Sequence, residues 1–475
     1  MRVSLIVVVS ALALSATAAA RETSAQSVHR APSAQALRAP PLAVFRRSSR
    51  DAPGYIFLAS KGGSGQQGPE IVDDRGRPVW FDPIASGEGD DFRVQSYGGR
   101  PVLTWWQGTG FGGVSQGSDY IADGSYHVIA TVHGGNGLEA DGHEFLLTPQ
   151  GTALITSYHQ VPYDLSPVGG PRDGQAIDGV VQEIDVVSGH VLFEWHSLDH
   201  VPLADSYQPV DSPYDYFHVN SVSLDVDGNL LISGRHTWTI YKVERHTGQI
   251  IWRLGGKRSD FNLAADARFA WQHNALAAGG NLIQIFDNEG NDVGRVMPQS
   301  RVIWIRLDLG TMGASLARSV THPSGYAVPS QGNAQALANG DTLVGWGELG
   351  RISEFDPQNA LLFDGSLTGG AQTYRAYRFT WSGQPDTRPQ TTARRRGGKR
   401  HRRTTVHAIW NGATSVARWR VLAGRSPKHL TSVRTVPWKG LDTVITIARV
   451  PREVEVVALD GSGKAVGRSK PARVR

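Results

Sequence analysis

The sequence predicts an all-β chain: a six-bladed β-propeller followed by a small C-terminal β-sandwich-like domain. Three observations carry that reading. One stretch holds a complete four-stranded meander, its two halves recur along the chain, and the composition changes near residue 384. Glycine is frequent, 55 of 475 residues, and long helical periodicity is missing, as short strands joined by tight turns require.

The meander is residues 215–254, DYFHVNSVSLDVDGNLLISGRHTWTIYKVERHTGQIIWRL. Apolar and polar residues alternate from Phe217 to Leu224. Asp227-Gly228-Asn229 supplies the turn, because these residue types tolerate the positive φ of a tight hairpin. Residues 230–233 return, 239–244 form a third strand, His246-Thr247-Gly248 turns, and 249–253 form a fourth strand. Four strands over roughly forty residues is the size of one propeller blade. The polar residues that interrupt the pattern are Asn220, Arg235 and His236, with His218 at the strand start.

The opening of this unit recurs as GHEFLLTPQGTALI from Gly142, QHNALAAGGNLIQI from Gln272 and QGNAQALANGDTLVGW from Gln331, with looser copies at Tyr55 and Phe92. The closing hairpin recurs at 70, 118, 181 and 239, with degraded copies RVIWIRLDL at 301 and YRAYRFTW at 374. Alternating openings and closings give six blades over 51–383, with long loop insertions mostly between 158 and 216. Closure is expected to place the strands near 55–81 in or beside the last blade, formed with 369–383, which removes an open sheet edge.

His143, His218 and His273 hold the same place in three successive repeats, and Gly332 holds it in the next. Histidines at equivalent strand starts point into one central space, the end of a propeller where its loops converge. Each imidazole capping a carbonyl of its own blade is the plainer alternative.

Residues 1–20 read as a secretory signal, with Arg2, an apolar run from Val3 to Leu14, and small residues at Ala18 and Ala20 before Arg21. That run is shorter than the roughly twenty residues of a spanning helix, so the expected location is extracytoplasmic, secreted or associated with the cell envelope. There is no cysteine, which rules out disulfides, thiolate metal sites and a cysteine nucleophile. Residues 21–50 read as a flexible leader, 384–403 as a basic linker, and 404–475, with alternating runs such as TVITIAR and VEVVALD, as the sandwich-like domain. The run 394–403 carries a charge of +7 and 404–475 carries +9; the whole chain is +5, which leaves −11 on 1–393. The basic tail is either solvated or a contact for an anionic cell envelope; nucleic acid is not expected.

His143, His218, Arg235 and His273 together suit transfer of a sulfuryl or phosphoryl group. Neutral imidazole is a nucleophile near pH 7. Arginine offers a planar set of donors to an anionic group, and further imidazoles hold its oxygens or move a proton to and from a phenolic oxygen. Tyr216, Phe217, Trp238 and Trp271 lie close in sequence and are candidates to wall an aromatic acceptor, or to fill space between blades; Asn220 and His236 are further candidate binding residues.

The runs DYFHVNSV, SGRHTWTIYKVERHTGQIIWRLGG, FAWQHNA…FDNEG, GLEADGHEFLLTPQGTALIT and PVLTWWQGTG resemble the arylsulfotransferase family, in particular its actinobacterial and fungal branch, over residues 50–383. The resemblance implies a six-bladed propeller that moves sulfate from a phenol ester to another phenol through a sulfated histidine in ping-pong order, without a nucleotide donor or other cofactor. It implies that His273 of WQHNA is the transient nucleophile, that His218 and Arg235 hold the sulfuryl oxygens, and that His143 completes the cluster. The implied partners are small molecules, an aryl sulfate donor and a phenolic acceptor, and no metal is implied.

Other classes stay open on the residues alone. Three histidines can bind zinc and activate water, with Asp141, Glu144 and Asp215 as carboxylates behind them, although Arg235 opposes a cation there. A non-enzymatic surface propeller and a quinone-dependent dehydrogenase are further readings.

Overall fold

The computed structural model describes residues 37–291, 294–397, 402–448 and 450–475. The chain is nearly all-β, and among the described residues no helix is long and apolar enough to cross a membrane. The expected leader structure before residue 37, including the signal, lies outside the described residues.

Six sheets occupy residues 42–379; five are, or are built around, an antiparallel meander of four consecutive strands, and the sixth adds one late strand to three early ones. The meander read from the sequence at 215–254 is the sheet Val219–Leu224, Leu230–Gly234, Thr239–Val243 and Ile250–Gly255. The turn between its first two strands closes with Gly228 N–H donating to Asp225 O at 3.0 Å. Gly228 sits at φ 83°, a conformation glycine adopts without steric cost.

The first strands of the six sheets are Glu88–Tyr97, Asp141–Leu147, Val219–Leu224, His273–Ala277, Asn333–Ala336 and Gln372–Phe379. Each lies against the next, and Gln372–Phe379 lies against Glu88–Tyr97. Apolar clusters follow the same cyclic order. Trp195, Phe217 and Tyr241 fill one boundary and Trp252, Ile283 and Ile303 the next. Phe286, Trp304 and Trp346 fill another, and Ile56, Leu343 and Phe363 the one after that. Phe57, Trp80, Phe92 and Trp105, then Trp106, Phe145 and Ile155, fill the remaining two. Burying side chains of this size contributes on the order of 1.5–3 kcal/mol each, so the sheets are held face to face by their apolar surfaces.

Three sequence expectations change. YRAYRFTW, read as a degraded closing hairpin, is a first strand: Gln372–Phe379 pairs antiparallel with Tyr55–Lys61, which leads on to Gly68–Val72 and Pro78–Phe81. The two ends of the six-sheet region thus meet in one sheet, and YIFLAS is a second strand rather than an opening. Within the segment read as a flexible leader, Leu42–Arg46 is a strand paired with Leu361–Leu367; Leu42 is 3% exposed and anchors it. Within the segment read as a linker, Gln390–Arg396 pairs with Arg403–Ile409, because Ala393 enters the core beneath that pair.

Residues 390–473 form a three-stranded and a five-stranded sheet that share a core of Val406, Trp419, Val421, Ile445 and Val456. This part docks on the outer strand Pro78–Phe81. Asn411 Oδ1 accepts from Phe81 N–H at 3.0 Å while its Nδ2 donates to Phe81 O at 2.9 Å, and Gly412 and Leu441 N–H donate to Val79 and Pro78 carbonyls. The docking covers a strand edge that would otherwise expose unpaired backbone groups.

Candidate active site

Each of the six first strands, or the residues just before it, reaches the same cavity. Asp90, His143, His218, His273, Gln331 and Tyr374, in chain order, line a space of about 440 Å³, joined by Lys61, Ser115, Arg235 and His236. The repeat register put His143, His218 and His273 there from sequence; Gly332 is the fourth equivalent. A Cβ at Gly332 would meet the Phe286 ring at 2.5 Å, so that position is bare and Gln331 beside it faces the cavity. Gly113, in the loop after WWQGTG, lies so close that a Cβ would stand 2.9 Å from His218 Cε1. His218, Trp271 and Gln331 hold positive φ of 52°, 57° and 66°. Backbone strain of this kind clusters at functional sites.

Each histidine has a different partner on Nδ1. His143 bonds to the Asp141 carboxylate, and His218 to Asp215 Oδ2 at 2.5 Å. His273 bonds to a neutral group, Asn288 Oδ1, at 2.7 Å. The Gln331 backbone N–H donates to His273 Nε2 at 3.2 Å. Since an N–H can only donate, Nε2 carries the lone pair and Nδ1–H donates to Asn288. His236 is set the same way: Arg235 Nη1 donates to its Nε2 at 3.1 Å, and its Nδ1–H donates to Asp215 O. Arg235 is placed by a bond from Nη2 to Pro329 O at 2.8 Å and lies 5.4 Å over the Trp271 ring. The His218 ring is 4.6 Å from His236 and 5.0 Å from His143.

Burial sets the charges. It pushes His218 and His273 well below the usual imidazole range, helped by Arg235 and neighbouring imidazoles, and His236 down to about 3. Burial also raises Asp215, against the pull of His236, His143 and Arg235. For Asp141 burial works upward but His143 outweighs it, and the carboxyl ends below its usual range. His218, His236 and His273 are therefore neutral imidazoles beside the Arg235 guanidinium, an arrangement that gains from a bound anion.

Beneath this layer Arg375, fully buried, pairs with Glu144 at 2.9 Å and Asp91 at 3.2 Å, and Arg93 pairs with the same two at 2.7 and 3.1 Å. Glu144, read from sequence as a carboxylate behind a histidine, belongs to this network instead. It ties three first strands together.

Other expectations fare differently. Asn220 is buried and donates from Nδ2 to Gln272 O at 2.7 Å, joining adjacent first strands; it does not line the cavity. Tyr216 and Phe217 are buried in the apolar core between two sheets. Trp238 stacks on Tyr207 at 3.6 Å and meets Trp271 edge-on at 5.4 Å. None of these four aromatics lines the cavity, because their side chains are used in packing; among the described lining residues the aromatic ring besides the imidazoles is Tyr374. Sequence reasoning missed Lys61, Asp90, Gln331, Tyr374 and Asn288. Aligning YRAYRFTW as an opening would have put Tyr374 in the histidine register, and Asn288 lay in the FDNEG run. For a metal, the groups brought within 4.8 Å of one another among the described residues are Asp215, His218 and His236, rather than the three repeat histidines. Their ring Nδ1 atoms are already engaged with Asp215, and Arg235 adjoins them.

The family model for arylsulfotransferase (ASST) matches residues 93–368, which include His143, His218, Arg235, His236, His273 and Asn288. The chain belongs to the arylsulfotransferase family. The arylsulfotransferase match begins after Lys61 and Asp90 and ends before Tyr374. No curated protein matches this chain. Solved structures similar to it include a protein of unknown function from Bacteroides caccae, at 13% identity over 68% of this chain and 98% of that one, TM-score 0.42. A streptogramin B lyase matches at 13% identity over 71% and 88%, TM-score 0.40, and the virginiamycin B lyase of Staphylococcus aureus at 10% over 68% and 87%, TM-score 0.34.

Proposed function

We propose that the protein is a secreted or envelope-associated aryl sulfotransferase. It moves a sulfuryl group from a phenolic sulfate ester to a second phenol, with no nucleotide donor, through a sulfated His273. The observation that carries this is the His273 imidazole: buried, neutral, with Nδ1–H committed to Asn288 and the lone pair on Nε2, in a chain of the arylsulfotransferase family. A neutral nucleophile approaches an anionic ester without the repulsion a carboxylate would meet. Six sheets in cyclic order support a six-bladed propeller, with 390–475 as a small sandwich docked on its rim. The exposed Arg394, Arg395 and Arg396 offer positive charge to an anionic envelope surface.

In the first half-reaction the Gln331 N–H gives up the Nε2 lone pair of His273, which forms a bond to sulfur while the bond from sulfur to the aryl oxygen breaks. Arg235 holds the peripheral sulfuryl oxygens, where charge spreads in the transition state, and His218 joins it through Nε2–H when the proton between its Nδ1 and Asp215 Oδ2 resides on the carboxyl that burial raises. The positive charge that appears on the sulfated ring strengthens the Nδ1–H bond to Asn288. A second phenol then attacks sulfur and His273 leaves as neutral imidazole. The test is release of nitrophenol from 4-nitrophenyl sulfate with and without added phenol, together with mass spectrometry of protein quenched after donor alone. The expected result is phenol-dependent turnover and one sulfated peptide that contains His273. Neither binding nor turnover of any aryl sulfate would overturn the proposal in favour of a binding module; turnover abolished by a chelator would favour metal-dependent hydrolysis at Asp215, His218 and His236.

A further inference from the structure

We propose that Lys61 is the acid–base group of the transfer: its ammonium binds the phenolic oxygen, protonates the departing aryl oxide, and takes a proton back from the acceptor phenol. The inference rests on the sulfuryl-transfer reading above and adds to it a residue outside the family match.

Asp90 stands three places from His273 in the cyclic set of six first strands, on the far side of the cavity. Lys61, from the second strand of the sheet that supplies Tyr374, reaches the same wall. Its Nζ pairs with Asp90 at 2.8 Å and with Glu88 at 3.5 Å, and stands 5.7 Å from the Tyr374 ring. That ring is in turn 6.3 Å from the His273 ring. Displacement at sulfur runs in line, with attacking and leaving atoms on opposite sides. A nitrogen attacking from the His273 wall therefore presents the aryl oxygen to the wall where Lys61 sits. Arg235 lies with His236 and His218 on the other side and serves the sulfuryl oxygens.

Lys61 is suited to a phenol. The ordinary pKa values of lysine and a phenolic hydroxyl are both about 10; held above that, Lys61 gives up its proton only as negative charge develops on the aryl oxygen, and its amine takes one back readily from the acceptor phenol. Burial works against the ammonium, but Asp90 and Glu88 outweigh it and hold its pKa above the ordinary value, so the cycle starts with Lys61 charged. An ammonium has three donors, enough to answer its carboxylates and a substrate oxygen. The steps balance. As Nε2–S forms and S–O breaks, the aryl oxygen takes the electron pair and a proton from Lys61, leaving a neutral amine. As the acceptor oxygen bonds to sulfur and S–Nε2 breaks, its proton returns to the amine.

The experiment is kcat/KM for Lys61→Met and Lys61→Arg across aryl sulfates whose phenols range from acidic, such as 4-nitrophenol, to unsubstituted phenol. General acid help matters most for poor leaving groups, so Lys61→Met is expected to lose about tenfold with the nitrophenyl ester and on the order of 10³-fold with phenyl sulfate. Lys61→Arg keeps the charge without a transferable proton and is expected to recover activity with nitrophenyl but not with phenyl sulfate. A loss by Lys61→Met of the same factor for every donor, or wild-type turnover of phenyl sulfate by Lys61→Arg, overturns the role. If Lys61→Met does not fold, the donor series of Lys61→Arg decides alone. Absence of turnover by the wild type overturns the sulfuryl-transfer reading itself, and the role of Lys61 with it.

Discussion

Asn288 presents its Oδ1 to His273 Nδ1 at 2.7 Å, and it has no other way to turn. Its Nδ2 donates to the carbonyls of Val328 and Gln331, both at 3.1 Å, which fixes the oxygen toward the imidazole. His143 and His218 lean on carboxylates where His273 leans on an amide, so one histidine of the three is held neutral in a single tautomer without an adjacent anion.

Asn288→Ala should leave the fold in place and slow turnover. A hydrogen bond to a charged group is worth about 1.5–3 kcal/mol, so a loss of roughly 10- to 100-fold in kcat is expected. Mass spectrometry should show slower sulfation of His273 at the same donor concentration; unchanged labelling would remove Asn288 from the mechanism. His273→Asn should abolish both turnover and label.

Arg235→Lys should lose most activity although the charge remains, because a point charge does not replace a planar fork set by Pro329 O and His236. Loss of one transition-state donor costs about 3–4 kcal/mol. Activity within a few-fold of wild type would mean that Arg235 holds no sulfuryl oxygen.

Acid should destabilise the protein through its buried histidines. His218, His236 and His273 are held below the unfolded value of about 6.5. The unfolded chain therefore binds more protons below that pH, and stability present above it is lost as pH falls toward the folded value, about 3 for His236. Thermal unfolding should shift to lower temperature over this window, and His236→Gln should flatten its share of the slope.

Arg375→Met should be strongly destabilising, by about 3–5 kcal/mol, since it leaves Glu144 and Asp91 buried with one cation between them instead of two. Urea unfolding measures it; a change under 1 kcal/mol would show that Arg93 alone balances the pair.

Truncation after Asp386 should leave sulfuryl transfer intact and lower the solubility of the protein, because it uncovers the edge of Pro78–Phe81. Asn411→Ala, which removes two bonds to Phe81, should weaken the docking by about 1–3 kcal/mol. Turnover lost on truncation while the six sheets stay folded would show that the tail takes part in the chemistry.

The sequence alone located His143, His218, His273 and Arg235 in one cavity, and the reason is local. A strand alternates its side chains with a period of two, and a fixed hairpin turn after each first strand keeps that register from repeat to repeat. Equivalent positions then face equivalent directions. Family membership was legible in the same runs. What the sequence did not show came from contacts between distant segments. Lys61 and Tyr374 share a sheet because Tyr55–Lys61 pairs with Gln372–Phe379 across more than 300 residues, and no periodicity in either run reveals its partner. Whether an aromatic residue near the cluster walls a substrate or fills a boundary is likewise decided by the neighbouring sheet. Phe217 goes inward against Trp195 and Tyr241, while Tyr374 stays at the cavity between His143 and His273. Side-chain type is a property of the chain; which face it meets is set only when the sheets pack.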